Sequence, residues 1–382
     1  RKEMEDSEFD ELIDDWFIES LKTYRDLYVY QLEFPTRVIE WTSGKTICVA
    51  GYNKSSKNEI LELCLPQKLF AEEKKGLCAE RDFKVLHGGF SPDPVSVLKH
   101  VPGTRLIVTN DGLTSDLQVW NLGGDDSDVI TKVSSVQGSA GSPGGVKMAA
   151  RISPQPEVLH GCRGGDVRLT QLTTGQTLYQ LGKPLEGWLI QSLRDPSLLH
   201  FVSNAVFLAA CANGDVLTVD TRTSSPPQLA PAPSMPDSDV WWADVSGRGG
   251  LIRVSSSGWA AVSDPRGPTG ITRRARLAVG TPHRDSRDVN VLWAPALDDI
   301  VAVSGFSGAV QIYDTSSWQS EPRDSHPLFE HRGHAVCSQR REGGAVAVNC
   351  HLWHPKETRT LVSAAADASL HVWDWIHPSD AR

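Results

Sequence analysis

Long apolar runs are missing from this 382-residue chain. The longest, residues 198–212, is interrupted by His200, Ser203 and Asn204, and falls short of the ~18–20 residues that a bilayer-spanning helix needs. No membrane span is expected. Paired cysteines are missing too. The seven (Cys48, Cys64, Cys78, Cys162, Cys211, Cys337 and Cys350) are odd in number, scattered, and nowhere form C-x-x-C. Neither a disulfide framework nor a zinc ribbon follows, and most of these thiols should act as small buried hydrophobes. A basic excess is also lacking. Net charge is -9, and the first twenty residues, with nine acids against Arg1 and Lys2, supply -7 of it. The remaining body is nearly neutral and poorly suited to gripping a phosphate backbone, so strong direct nucleic-acid binding is not expected. That acidic start is the reverse of a secretory n-region, which argues against export.

What is present is enough for one large domain or two ordinary ones: 40% hydrophobic and 22% charged residues exclude wholesale disorder. Small turn pairs recur at Gly164-Gly165, Asn213-Gly214, Ser257-Gly258, Ser307-Gly308 and Asp367-Ala368, each followed by alternating apolar residues. Gly and Asn tolerate the positive φ of a tight hairpin, and alternation reads as a strand with one face buried. Six residues beyond each pair stand Gln171, Asp220, Asp264, Asp314 and Asp374; the register extends back to Asn121 and Cys64. Seven marks spaced by 44 to 60 residues define a repeat. Each period holds about four strands and no long helix, as at residues 347–353, 360–364 and 369–374 near the end. This predicts an all-β chain of radially arranged antiparallel sheets. The start differs: Phe9, Leu12, Ile13, Trp16, Phe17, Leu21, Tyr24 and Leu27 follow the spacing of a short amphipathic N-terminal helix.

The segment 363–374, with Asp367, Trp373 and Asp374, preceded by Arg332-Gly333-His334 and by Trp353-His354-Pro355, resembles a full WD repeat. The resemblance implies a seven-bladed WD-repeat β-propeller in which His334, Ser363, Asp367 and Trp373 form a hydrogen-bonded structural tetrad. Other blades keep less of the pattern, Tyr313-Asp314 and Trp120-Asn121 most, and should rely on packing. In propellers of this kind the N-terminal strand commonly completes the last blade. Residues 28–34 are therefore expected to pair with residues 369–374, giving a flank and helix at 1–27, a propeller at 28–376 and a tail at 377–382. Further stretches, among them Asp14-Asp15-Trp16, residues 37–41, 80–85, 87–90, 117–120 and 371–375, extend the likeness to one branch of the WD-repeat family over nearly the full length. That branch implies a mainly cytoplasmic, partly nuclear protein, linked to spindle poles and microtubules, and associated with the RNA-cleaving module of the Integrator complex. It implies a monomeric propeller within a hetero-complex.

Other motifs have plainer readings. Thr42-Ser43-Gly44-Lys45-Thr46 ends like a phosphate-binding loop, but Ile39 stands where the first Gly belongs and a strand follows. A hairpin turn is expected there, and a mobile loop at residues 137–145. His331, His334, Cys337, Cys350, His351 and His354 carry zinc-ligating chemistry in a spacing that matches no zinc module. No nucleophile elbow occurs, and Asp125-Asp126 and Asp298-Asp299 fall in polar turns. The expectation is a non-catalytic adaptor without cofactor or metal; a peptide or modified-residue reader, and last a propeller enzyme, are the alternatives. Trp16, Phe17, Leu21 and Tyr24 must bury against the propeller or a partner. Of Trp241-Trp242, strand alternation should send one inward and leave Trp242 as a candidate surface anchor.

Overall fold

The computed structural model describes residues 15–16, 18–51, 57–66, 82–138, 145–181, 195–235, 240–248, 250–280, 289–338 and 346–380. Residues 18–23 are helical and lead into strand β1 (Tyr24–Gln31). Seven sheets follow. Blade 1 comprises β2 (Thr36–Trp41), β3 (Thr46–Gly51), β4 (Asn58–Cys64) and β5 (Lys84–Ser91). Blade 2 comprises β6 (Val97–His100), β7 (Leu106–Asn110), β8 (Leu117–Asn121) and β9 (Thr131–Val136). Blade 3 is β10 (Lys147–Ile152), β11 (Pro156–Gly161), β12 (Arg168–Gln171) and β13 (Thr177–Gln180). Blade 4 is β14 (Pro196–Phe201), β15 (Val206–Cys211), β16 (Val216–Asp220) and β17 (Gln228–Ala230). Blade 5 holds β18 (Trp241–Ser246), β19 (Gly250–Ser255), β20 (Trp259–Asp264) and β21 (Gly267–Leu277). Blade 6 holds β22 (Asn290–Trp293), β23 (Ile300–Ser304), β24 (Val310–Asp314) and, after the short β25 (Arg323–Ser325), β26 (Phe329–His331). Blade 7 is β27 (Val348–Trp353), β28 (Thr360–Ala365), β29 (Ser369–Trp375) and β1.

The seven sequence marks fall on the third strand of each blade, six at its last residue and Asp374 one before the end of β29. Phe34 and its neighbours do not extend the closing strand. It runs Tyr24–Gln31, four residues earlier than expected, and pairs antiparallel with β29 from Tyr24↔Trp375 to Gln31↔Ser369. The helical periodicity that reaches Tyr24 and Leu27 is overridden there, because the open edge of β29 offers backbone partners that a surface helix lacks. A second difference lies in blade 5, which carries a fifth strand. β25, from the β24–β26 connection, pairs parallel with the long edge strand β21 through Ala275↔Arg323 and Leu277↔Ser325. At Ser307-Gly308 the expected left-handed turn residue is instead Gly305, at φ 97°.

Among the described residues there is no single central core. Buried apolar side chains group into seven slabs, one between each pair of adjacent blades, from Cys48, Ile60 and Trp120 between blades 1 and 2 to Ile39, Val49, Val362 and Val372 between blades 7 and 1. A non-edge strand of a blade is thus covered on both faces: every residue of β3 and of β29 is buried. This corrects the reading of Trp242 as a surface anchor. Trp241 and Trp242 point to opposite faces of β18, yet both are buried, at 2% and 7% exposure, and Trp242 packs edge-on against Phe306 of blade 6. Alternation here separates one neighbouring blade from the other, not core from water.

Candidate functional site

The closure in blade 7 is built as a directional chain of hydrogen bonds. Trp373 Nε1 donates to Ser363 Oγ at 3.1 Å, and Ser363 Oγ lies 2.8 Å from His334 Nε2. His334 Nδ1 lies 2.7 Å from Ser369 Oγ, which donates to Asp367 Oδ1 at 2.6 Å. Ser369 spends its one proton on Asp367, so its oxygen accepts from His334 Nδ1–H, and a neutral imidazole with hydrogen on Nδ1 accepts the Ser363 proton at Nε2. Every donor then points toward the Asp367 carboxylate. The four residues named by the WD pattern do meet, but Asp367 and His334 do so through Ser369, a link the pattern does not specify. Asp367 also accepts from the Ser369 backbone at 3.0 Å, which fixes the turn. In blade 2 only the indole–hydroxyl half of such a chain remains, Trp120 Nε1 donating to Thr109 Oγ1 at 2.9 Å.

Against this chain lies a second one. Tyr24 Oη is 2.7 Å from His331 Nδ1, and His331 Nε2 is 3.0 Å from His371 Nδ1. His331, His334 and His371 are buried, with ligand nitrogens within 4.8 Å of one another. The rings of His334 and His371 are nevertheless stacked, 3.7 Å apart and 16° from parallel. In-plane lone pairs of stacked rings run side by side and do not converge on one ion. Burial holds His331 and His334 well below the ordinary imidazole range and His371 at about 4, so all three are neutral at pH 7. The other zinc-type residues lie apart: His351 Nδ1 is 2.8 Å from Ser304 Oγ, and His354 Nδ1 accepts from the Lys356 and Glu357 backbones. The cluster is a packed, hydrogen-bonded seam, and His371 entered it from a strand that the spacing of histidines alone did not mark.

The residues expected to face a partner separate. Tyr24 is buried in an aromatic nest with Phe329, His331 and Trp373. Trp16 is half-buried and packs on the same slab of the propeller. Leu21 is 59% exposed, together with Ile18 at 55%, and these two stand one helical turn apart. Phe17 lies outside the described residues, as do most of residues 137–145. Sequence patterning missed a further group: Val85, Leu86 and Phe90 on β5, Val129, and Val133 on β9 are all exposed on the outer strands and loops of blades 1 and 2. Edge strands alternate as inner ones do, so only the tertiary arrangement distinguishes them.

Around the axis, inner strands collect ionisable groups from blades far apart in sequence. Lys99 Nζ on β6 donates to Glu40 Oε2 on β2 at 3.1 Å. Asp244 on β18 accepts from the Trp293 backbone at 2.8 Å, and burial pushes its carboxyl up to about 7. Inner strands are further laced by Asn290 to the Asn349 carbonyl and Asn349 to the Thr36 carbonyl, at 3.0 and 2.7 Å. Indoles add a second lacing: Trp41 Nε1 donates to the Trp353 carbonyl and Trp353 Nε1 to that of Leu292. The Asn349–Thr36 and Trp41–Trp353 bonds cross the junction of blades 7 and 1, and the Asn290–Asn349 and Trp353–Leu292 bonds that of blades 6 and 7, so the ring is fastened at its hub as well as at its rim. Their chemistry is that of holding strands in register. The Thr42–Thr46 turn joins β2 to β3 as a hairpin, with Thr42 Oγ1 donating to the buried Glu62 at 2.7 Å.

Among the described residues no helix is long and apolar enough to cross a membrane. No family model matches the chain. It is, however, 43% identical over 373 residues to the Integrator complex assembly factor WDR73 of Danio rerio, covering 95% of this chain and 96% of that one. The counterparts of Xenopus laevis and Homo sapiens are 37% and 38% identical over 94% and 95% of this chain and 97% of each relative. Identity at this level over about 95% of the chain shows that the chain belongs to the WDR73 family of WD-repeat propellers.

Proposed function

We propose that this protein is a non-catalytic assembly factor of the Integrator complex, and that the component it serves is the RNA-cleaving module. The observation that carries this reading is the near end-to-end likeness to proteins bearing that name. The geometry supports a scaffold. The ring is rigidly closed, its buried polar chains are spent on packing, and uncovered apolar side chains gather on the rims of consecutive blades: Ile18 and Leu21 beside blade 7, Val85 and Phe90 on blade 1, Val133 on blade 2. Uncovered apolar residues on a rigid frame are what a protein partner buries. A modified-residue reader would need an aromatic cage, and the aromatic clusters described above are packed within the fold.

The test is affinity purification of the tagged protein from cells, with mass spectrometry of what accompanies it. Integrator nuclease subunits should co-purify, and Leu21→Asp or Phe90→Asp should reduce their yield without lowering the melting temperature of the isolated propeller. Recovery with no Integrator subunit would end the proposal. The proposal extends to location: mainly cytoplasmic, partly nuclear, with a share at spindle poles in dividing cells. Imaging of the tagged protein through mitosis, and co-sedimentation with microtubules, test that part separately.

A further inference from the structure

The outer strands of blades 7 and 1 face one another across the closure. Tyr28 and Tyr30 of β1 stand opposite Val372 and Leu370 of β29, whose side chains belong to the apolar slab between these two blades. On blade 1, Val85, Gly88 and Phe90 of β5 stand opposite Leu63, Leu61 and Glu59 of β4. Cross-strand partners share a face of their sheet, and Leu61 and Leu63 pack on the same slab. Val85, Gly88 and Phe90 therefore all look toward blade 7. Close to the slab that side is filled, with Phe83 edge-on against Tyr30 at a ring-centroid distance of 4.2 Å. Further out, Val85 is 62% and Phe90 59% exposed, and Gly88 between them carries no side chain. A Cβ placed on Gly88 would meet, among the described residues, only Leu61 Cδ2, at 3.4 Å. The result is a notch about 14 Å long at the rise of an extended strand, with Val85 and Phe90 as walls and Leu61 as floor.

The Phe90 end of the notch is acidic. Glu59 lies directly across from Phe90, and Phe34 begins beside it: a Cβ on Gly51 would meet the Phe34 and Glu59 Cβ atoms at 3.3 and 3.7 Å. Glu33, next to Phe34, is exposed. Among the described residues neither carboxylate has a cation within ion-pairing distance. Lys84, the neighbour of Val85, turns to the other face with its partner Cys64. Burial, and then the Glu33 charge, push the Glu59 carboxyl upward from its ordinary value. Two like charges set against apolar surface without a counter-ion favour a cation brought by a partner, and repel an acidic one. We propose that this rim receives a basic, aliphatic segment of a protein partner. One aliphatic side chain seats over Gly88 between Val85 and Phe90, and a neighbouring Lys or Arg reaches Glu59 and Glu33. The apolar contact supplies the anchor and the charges set the direction of the segment. This deepens the scaffold reading and rests on it for the existence of a partner; peptide titration addresses the notch alone, so its failure leaves the co-purification result standing.

Fluorescence-anisotropy titration of the full chain with labelled acetyl-Lys-Leu-Lys-Leu-Lys-Leu-amide, and with its counterpart carrying Glu for Lys, decides it. Saturable binding of the basic peptide is expected, with a dissociation constant on the order of 0.1 mM for so small a contact, and none of the acidic one. Gly88→Val fills the notch without changing net charge and should weaken binding by about tenfold or more. Its Cβ finds ordinary contact distance to Leu61, and a β-branched residue suits a strand, so the melting curve of the free protein should hold. Phe90→Ala, which removes a wall, serves as the second variant should that one fail to fold. The double variant Glu33→Gln with Glu59→Gln should weaken binding about fivefold and flatten its salt dependence. Equal binding of the acidic peptide, undiminished binding by the notch variants, undiminished binding by the double variant, or no saturable signal would each overturn the proposal.

Discussion

At Ser363 a single hydroxyl satisfies two buried groups, the Trp373 indole and His334 Nε2. Ser363→Ala therefore orphans a donor and an acceptor at once, and should lower unfolding free energy by about 2–4 kcal/mol. Asp367→Ala removes the acceptor at the end of the chain and the anchor of the turn, costing about 1–3 kcal/mol. Trp373→Ala should cost more, about 3–5 kcal/mol, because the indole is 1% exposed and leaves a cavity. Denaturant melts of the three variants check the order; equality with wild type would refute the chain. Of these residues the WD motif identified four, and it missed Ser369 and His371 for a physical reason. A motif records which side chains recur at a spacing, whereas a hydroxyl inserted between two of them, or a ring stacked on one, depends on the distance left after packing. Trp242 was misplaced because alternation specifies opposite faces without specifying what covers each.

At the scale of the element, the closing strand joins parts of the chain some 340 residues apart in sequence. β1 contributes seven paired positions to β29, and Tyr24 links it to His331 at 2.7 Å. Deleting residues 24–31 should leave β29 as an open edge and lower the melting temperature sharply, with a shift toward aggregated species in size-exclusion chromatography. Tyr24→Phe keeps the aromatic nest and loses only the hydroxyl, so a loss of about 1 kcal/mol is expected. An unchanged melt for the deletion would mean that the hub lacing of Trp41, Trp353 and Asn349 suffices to hold the ring. The strand itself was legible from its alternation, and its start was not. Tyr24 satisfies the helical and the strand period equally, and the open edge decides between them.

Across the whole molecule, proton linkage has a definite sign. Seven histidines (His160, His200, His331, His334, His351, His354 and His371) are held below their ordinary pKa, chiefly by burial, with His160 and His351 at about 3 and His371 at about 4. Below about pH 6.5 the unfolded chain takes up protons that these buried rings refuse, so stability is lost as pH falls. Asp244, Asp374 and Glu59 act in the opposite sense. Their raised values, about 7 and about 6 for the two aspartates, let the folded state keep protons that the unfolded state releases between pH 4 and 7. Seven groups against three favour the histidine term. Melting temperature should fall between pH 7 and pH 4.5, and His371→Gln should flatten the profile. A flat wild-type profile would contradict the buried, neutral state of the seam.

Repeat number, about four strands to a repeat and the residues of one complete WD repeat follow from the sequence alone, because local alternation and turn chemistry act over a few residues wherever the chain happens to be. The sequence likewise carried enough of its closing strand to show that the ring must shut. Only the tertiary structure decided what each face of a strand meets. It buried Trp242 between two blades, exposed Val85, Phe90 and Leu21 on the rim, and brought Glu40, Lys99 and Asp244 toward one axis. Those outcomes depend on which blade lies beside which, a relation between residues hundreds of positions apart that is set by closing the circle and not by any local pattern.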